Sequence, residues 1–229
     1  MLNKILQSPA PVTLLGAGNL SEPALRAALT IAPQLVCADG GADHAVALGL
    51  MPEAVIGDLD SLSEATRAAL PANVIHHIAE QNSTDFDKAL RSISAPLVLG
   101  VGFDGTRIDH HLAALHVLMA RPEQRSILIS DAQITFLAPP HLRMELPEGT
   151  LVSLFPMGAV TGRSDGLRWP IEGLAFAPDS QIGTSNEVTG PLTLQFDQPQ
   201  MLVIMPRAAL DSAVEALLSA FVGWPARAR

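Results

Sequence analysis

The chain contains no tyrosine, a single cysteine, and aromatic side chains at only 4% of its 229 positions. With Cys37 alone there is no intrachain disulfide to form, which excludes a disulfide-stapled secreted scaffold and fits a reducing compartment. Basic residues are also scarce. Fourteen Lys and Arg against 23 Asp and Glu give a formal charge of −9, which argues against a broad phosphate-tracking surface, so no nucleic acid is expected as a partner. The opening segment MLNKILQSPAPVTLLGAG has one lysine, early prolines and an apolar run too short for a signal peptide or a membrane span. A cytoplasmic protein with no membrane partner is the expectation. The seven histidines show no HExxH or other zinc spacing, and neither a long internal repeat nor a low-complexity segment is present.

What is present is enough apolar residue, 48% of the chain, to bury a core in one large domain or two small ones. From residue 12 to about 130, short β-rich runs (VTLLG, LVCA, AVIG, VIHHI, LVLGV, SILIS) alternate with helical patterns. Phe86, Ala89, Leu90 and Ile93 fall on one helical face; Ile108, Leu112, Leu115 and Met119 fall on another. This rhythm predicts an α/β domain over 1–131 with a mainly parallel, Rossmann-like sheet, whose ligands gather at the carboxyl ends of the strands. Beyond residue 131 come turn-rich strands (ITFLA, LRMEL, LVSLF, AVTG, LTLQF, MLVIM) without helices between them, which predict an antiparallel sandwich or barrel over 132–229. A stripe of Leu210, Val214, Leu217, Leu218 and Phe221 after Pro206 predicts a short C-terminal helix.

The chemistry-bearing residues follow the strands. In VCADGGADHAV, Asp39 ends a strand, and Gly40 and Gly41 allow a tight turn and a close backbone approach to a ligand, or simply a turn before a helix. In AVIGDLDSL, Asp58 and Asp60 could project the same way if strand geometry continues, which suits an oxygen-ligated divalent cation. Helix capping near Ser63 is the other reading for Asp60 or Ser61. In NSTDFDKAL, Thr84 and Asp87 resemble a capping box, while Asp85 and Lys88 can face the same way, one toward a cation and one toward phosphate, or form a plain surface ion pair. In GVGFDGTRIDHHL, glycines before a helix start offer N–H groups to an anion, and Arg107 supplies a fork of donors, with Asp109 and His110 in the first turn. Gly16 and Gly18, with Asp39 some twenty residues on, also invite a dinucleotide reading; Ser21 stands where its third glycine belongs. Trp169, read from composition alone, is a core residue.

Taken in order and at these intervals, ADGGAD, IGDLDS, NSTDFDKAL and GTRIDHHLAAL resemble the thiamine pyrophosphokinase family, and DGLRWP and GTSNEVTGPLTLQF resemble its second-domain signatures. The likeness runs from about Leu14 to Pro206. It implies an α/β nucleotide-binding domain followed by a β-sandwich, a homodimer whose active site is shared between subunits, and magnesium-dependent transfer of a pyrophosphoryl group from ATP to thiamine, giving thiamine diphosphate and AMP. Carried over by motif, Asp58, Asp60 and Asp85 are the implied metal ligands. Asp85, Lys88, Arg107 and Asp109 are the implied catalytic set. Asp39, Gly40, Gln81, Asn82, Arg107 and His110 lie on the ATP side, and Trp169, Ser185 and Asn186 on the thiamine side. A thiazolium cation against an indole face is physically sensible. The family commonly has Gly-Gly-Arg where this chain has Gly105-Thr106-Arg107; a β-branched residue at positive φ would be strained, so a differently shaped phosphate loop is expected. The alternatives are a pyrophosphokinase of another alcohol, such as a hydroxymethylpterin, and a non-catalytic thiamine or nucleotide sensor.

Overall fold

A computed structural model describes residues 4–105 and 107–227; the expectation about Thr106 lies outside them. The chain divides into two compact units, one running to Val117 and including Leu128–Asp131, the other comprising Leu118–Ile127 and everything from Ala132.

In chain order the first part contains β1 (Leu6–Gln7), β2 (Val12–Leu15), α1 (Glu22–Ile31), β3 (Gln34–Ala38), α2 (Gly41–Ala47), β4 (Ala54–Gly57), α3 (Glu64–Ala69), β5 (Ile75–His77), α4 (Asp85–Ser92), β6 (Ile93–Ser94), β7 (Val98–Val101), α5 (Ile108–Ala120) and β8 (Ser126–Ile129). Strands β7, β2, β3, β4 and β5 are neighbours in that order and all pair in parallel, with Leu14 opposite Val36 and Gly100, and Cys37 opposite Val55. β2, β3, β4 and β7 read as nearly continuous apolar runs, interrupted only by Thr13 and Gln34, because nearly every residue in them is buried, as expected of parallel strands covered on both faces. The chain moves from β2 outward to β5 and then returns to β7 on the other side of β2. That reversal opens a crevice between the loops that leave β2 and β7.

The helices are fixed at their starts. Ser21 caps α1 by accepting from Ala24 N, and Thr84 caps α4 by accepting from Asp87 N, as the TDFD spacing predicts. Phe86, Ala89, Leu90 and Ile93 are buried as expected, although Ile93 already belongs to β6. Helix α5 buries Met119 of the expected stripe but otherwise turns a different face inward. Ala114, Val117, Leu118 and Met119 are buried, whereas Ile108 is 67% and Leu112 53% exposed. The helix is apolar nearly all round, so its pattern does not select a face.

The second part contains β9 (Gln133–Leu137), β10 (His141–Met144), β11 (Leu151–Pro156), β12 (Val160–Leu167), β13 (Ala175–Phe176), β14 (Gly183–Phe196), β15 (Met201–Pro206) and α6 (Leu210–Ser219). All its ladders are antiparallel. β15 lies between β9 and β11, and the long β14 pairs with β11 at its start and with β10 and β12 toward its end. Inward residues such as Leu142, Leu154 and Leu194 alternate with more exposed ones, whereas β15 buries Met201, Leu202 and Val203 in succession. Of the predicted α6 stripe, Leu210, Val214 and Leu217 are buried; Leu218 is partly exposed, and Phe221 lies past the helix end and is fully exposed.

The cap on α4 gives a direct check. Thr84→Ala leaves the Asp87 amide without its acceptor and is expected to lower stability by about 1 kcal/mol, read as a shift of the urea midpoint with an unchanged slope.

Candidate active site

Three acids come together where β3 and β4 end. Asp39 directly follows β3, and Asp58 directly follows β4. Ligand oxygens of Asp39, Asp58 and Asp60 all lie within 4.8 Å of one another. The expected continuation of strand geometry is not what aligns Asp58 with Asp60. β4 stops at Gly57, and Leu59 adopts a left-handed backbone with φ 64°, so the chain reverses its sense between the two acids. Asp39 is left-handed too, with φ 43°. A leucine in this region costs on the order of 1–2 kcal/mol, a strain that the surrounding hydrogen bonds hold in place. Gly57 permits the crowding: a Cβ there would sit 2.8 Å from Asp39 Cβ and 3.1 Å from Asp85 Oδ1.

Each of the two more buried acids has one oxygen committed and one free. Asp58 Oδ2 accepts from Lys88 Nζ at 2.7 Å and from Gln81 Nε2 at 3.1 Å, while its Oδ1 is buried without a partner. Asp39, 2% exposed, accepts from Ser61 N at 3.3 Å through Oδ2, and its Oδ1 is likewise unpartnered. The hydrogen bond from Lys88 holds Asp58 below the usual carboxylate range. Burial, reinforced by the charges of Asp85, Asp58 and Asp60, pushes Asp39 up to about 6.

Lys88 is 1% exposed, and its Nζ also lies 3.0 Å from Asp85 Oδ1. Burial opposes its charge, but the hydrogen bonds to Asp58 and Asp85 outweigh it and keep the ammonium above its ordinary pKa. Expected from sequence either to face phosphate or to form a surface ion pair with Asp85, Lys88 does pair with Asp85, but buried rather than at the surface, and it gives a second donor to Asp58. Asp85 sits beside the three-acid group at the start of α4, and Asn82 is placed by its backbone N–H, which donates to Glu80 Oε2 at 2.9 Å.

Next to the acids lies a cleft of about 490 Å³, lined by Gly16, Gly18, Asp39, Gly40, Asp85, Gly102, Arg107 and His110, among others. The loops leaving β2 and β7 touch through their backbones: Gly18 N donates to Gly102 O at 2.8 Å. A Cβ on Gly18 would lie 2.3 Å from Asp104 O, so only glycine fits. The Gly16-x-Gly18 pair, which suggests a truncated dinucleotide fingerprint, thus lines this cleft, while Ser21 caps α1. Arg107 Nη2 donates to Asp109 Oδ2 at 2.6 Å and its Nε to Oδ1 at 3.3 Å, both side chains well exposed. This pairing raises Arg107 and lowers Asp109.

In the second unit, Trp169 is not a core residue: its side chain is 55% exposed, with Arg168 Cζ 5.1 Å from the ring centroid. Asn186 is 7% exposed and grips the Trp169 backbone, accepting from its N at 3.2 Å and donating to its O at 2.7 Å. Ser185 has a left-handed φ of 61° and donates its N–H to Ser153 Oγ at 3.0 Å. The sequence pattern did not assign Asp39 to the acid group or Ser61 to bracing it. The tight DGG and GDLD turns were the available signal.

Parallel strands that deliver glycine-rich turns and clustered carboxylates to one edge define an α/β protein suited to a phosphate-bearing ligand. The particular family is given by the match to two family descriptions. Residues 25–129 match "Thiamin pyrophosphokinase, catalytic domain" and residues 140–201 match "Thiamin pyrophosphokinase, vitamin B1 binding domain", and the chain belongs to this family. Among curated proteins it is similar to thiamine pyrophosphokinase 3 of Oryza sativa subsp. japonica, 28% identical over 188 residues, covering 67% of this chain and 70% of that one. Thiamine pyrophosphokinase 1 of Arabidopsis thaliana is 28% identical over 187 residues, with the same coverage of 67% and 70%. Among solved structures, thiamin pyrophosphokinase from Candida albicans aligns with a TM-score of 0.73 at 14% identity, covering 88% of this chain and 92% of that one. The yeast enzyme aligns at 0.71 and 17% identity, covering 94% and 95%. These structural likenesses establish the fold. No helix among the described residues is long and apolar enough to cross a membrane.

The raised Asp39 sets a pH signature for the metal-free protein. The folded state binds this proton more tightly than the unfolded chain, so stability falls as pH rises from the ordinary 3.8 through about 6. Asp39→Asn in EDTA is expected to raise Tm at pH 7.5 and to lose that gain by pH 3.5. A gain that persists at pH 3.5 would contradict the assignment.

Proposed function

We propose that this protein transfers the pyrophosphoryl group of ATP to the hydroxyethyl oxygen of thiamine, giving thiamine diphosphate and AMP. The observation that carries the reading is the pair of buried, unpartnered oxygens, Asp39 Oδ1 and Asp58 Oδ1, beside a glycine-lined cleft. Two hard oxygen donors with a third acid close by fit magnesium, which takes one or two carboxylates together with substrate phosphates. Asp58, Asp60 and Asp85 are the proposed ligands, and the position of Asp39 adds it to them. A bound magnesium ion supplies charge neutralisation to the phosphate oxygens.

The remaining steps belong to the chain itself. Lys88 orients Asp58 and Asp85 from beneath. Gln81 steadies Asp58, and Asn82, Gly40 and His110 stand on the ATP side. Arg107 exchanges Asp109 for phosphate oxygens, to which its fork is equally suited. Asp109, released from the guanidinium that depresses its pKa, becomes the better base and takes the alcohol proton. The alcohol oxygen bonds to the β-phosphorus as the bond from that phosphorus to the departing AMP breaks, a step governed by positioning and charge.

In the antiparallel unit, Trp169 offers an exposed indole whose face already attracts the Arg168 cation, which supports stacking of the thiazolium ring. Ser185 stands nearby in sequence, and Asn186 fixes the backbone that carries the ring. The parallel unit is read as a Rossmann-like catalytic domain over 1–131 and the antiparallel unit as a thiamine-binding β-sandwich over 132–229. The homodimer rests on the family resemblance, and the cytoplasmic location on the single cysteine. The match of residues 140–201 to a vitamin B1 binding domain does not favour a pterin alcohol as substrate.

Incubation with ATP, magnesium and thiamine, followed by product chromatography, is expected to give AMP and thiamine diphosphate in equal amounts. ADP with thiamine monophosphate would overturn the proposed site of attack. Asp85→Asn is expected to lower kcat by roughly a hundredfold or more with the circular dichroism spectrum unchanged. Trp169→Ala is expected to raise KM for thiamine about tenfold and leave KM for ATP unaltered; equal effects on both would point to a folding role.

A further inference from the structure

Three carboxylates held within 4.8 Å repel one another, and these three come from two different loops, β3–α2 and β4–α3. The loops must therefore be braced against that repulsion before any cation arrives. One brace is the 3.3 Å bond from Ser61 N to Asp39 Oδ2, which is long. The other is Asp43, in the first turn of α2. Its Oδ1 accepts from Ser63 Oγ at 2.6 Å, and its Oδ2 accepts from Ser63 N at 3.2 Å. Both oxygens bond Ser63, one through its hydroxyl and one through its amide, which fixes the position and the orientation of that residue together, and the Thr66 side chain also hydrogen-bonds Asp43.

Ser63 passes the constraint on. Its hydroxyl has one hydrogen, given to Asp43, so a lone pair is left to accept from Thr66 N at 3.2 Å and cap α3. From α3, Arg67 Nη2 donates to Leu59 O at 3.3 Å, in the left-handed turn between Asp58 and Asp60. A continuous path thus runs from α2 through Ser63 and α3 back to the middle of the acidic pair.

Building on the reading of these acids as a divalent-cation site, we infer that Asp43 is a positioning residue for that site: by clamping Ser63 it sets Asp58 and Asp60 at their spacing from Asp39. Asp43 is not one of the three grouped acids, and both its oxygens are already committed. A purely structural cap on α3 would affect stability alone, whereas a clamp on the acid loop governs metal affinity.

The test titrates Mn²⁺ alone into the full-length protein, with affinity read from water proton relaxation, for wild type, Asp43→Ala, Asp43→Asn and Ser21→Ala. The last removes the cap of α1 and serves as a control with a comparable loss of Tm. Asp43→Ala is expected to weaken Mn²⁺ binding about tenfold or more. Asp43→Asn is expected to restore most of it, because its amide can accept from Ser63 N and donate to Ser63 Oγ. Ser21→Ala is expected to bind as wild type does. Binding by Asp43→Ala that matches wild type, or that weakens no more than in Ser21→Ala, would overturn the inference, as would a wild type that binds no Mn²⁺. AMP formation is measured on the same samples. A wild type that binds Mn²⁺ yet forms no AMP would end the proposed reaction, while a weakened Asp43→Ala would still uphold the clamp.

Discussion

The buried ammonium of Lys88, shared by Asp58 and Asp85, is the contact on which the site depends. Asp39, Asp58, Asp60 and Asp85 concentrate negative charge at the ends of β3 and β4 and the start of α4, and a lysine held beneath them offsets part of it. Leaving buried charges without their partner typically costs about 3–5 kcal/mol. The same contact determines which oxygens remain available. By occupying Oδ2 of Asp58, together with Gln81, the ammonium leaves Oδ1 as a buried oxygen without a hydrogen-bond partner.

Around this charge pair the backbone is packed as closely as its atoms allow. Gly57 lets Asp39 and Asp85 approach, and Gly18 lets the loop after β2 rest on the loop after β7. Gly41 belongs to the same pattern: a Cβ there would lie 2.2 Å from Leu15 O, so the start of α2 presses directly against the end of β2. The acids can therefore converge only because the turns that carry them have no side chains in the way.

Much of this was legible in the sequence. The strands were marked by short, mostly apolar β-rich runs, the cap at Thr84 by its spacing to Asp87, and the acids and glycines by their position just after strands. What was not legible depended on tertiary context. The alignment of Asp58 with Asp60 comes from a left-handed Leu59, and no propensity favours that conformation for leucine. The inward face of α5 could not be chosen because nearly every face is apolar, and it settled on Ala114 and Val117, leaving Ile108 and Leu112 outside. Trp169 was read as core from residue type alone, whereas Asn186 holds its backbone so that the ring stands exposed. The spacing of Asp85 and Lys88 shows their pairing, but no sequence spacing shows that Asp58, from the end of another strand, shares the same ammonium.

The order of strands in the second unit has a bearing on how the chain is made. β15, Met201–Pro206, is made after β9 and β11, yet it lies between them. Until it emerges, each of those strands presents an unpaired row of N–H and C=O groups to any neighbouring chain. The antiparallel unit therefore closes only once Met201–Pro206 has been made, and nascent chains arrested before Met201 carry two open edges primed for aggregation.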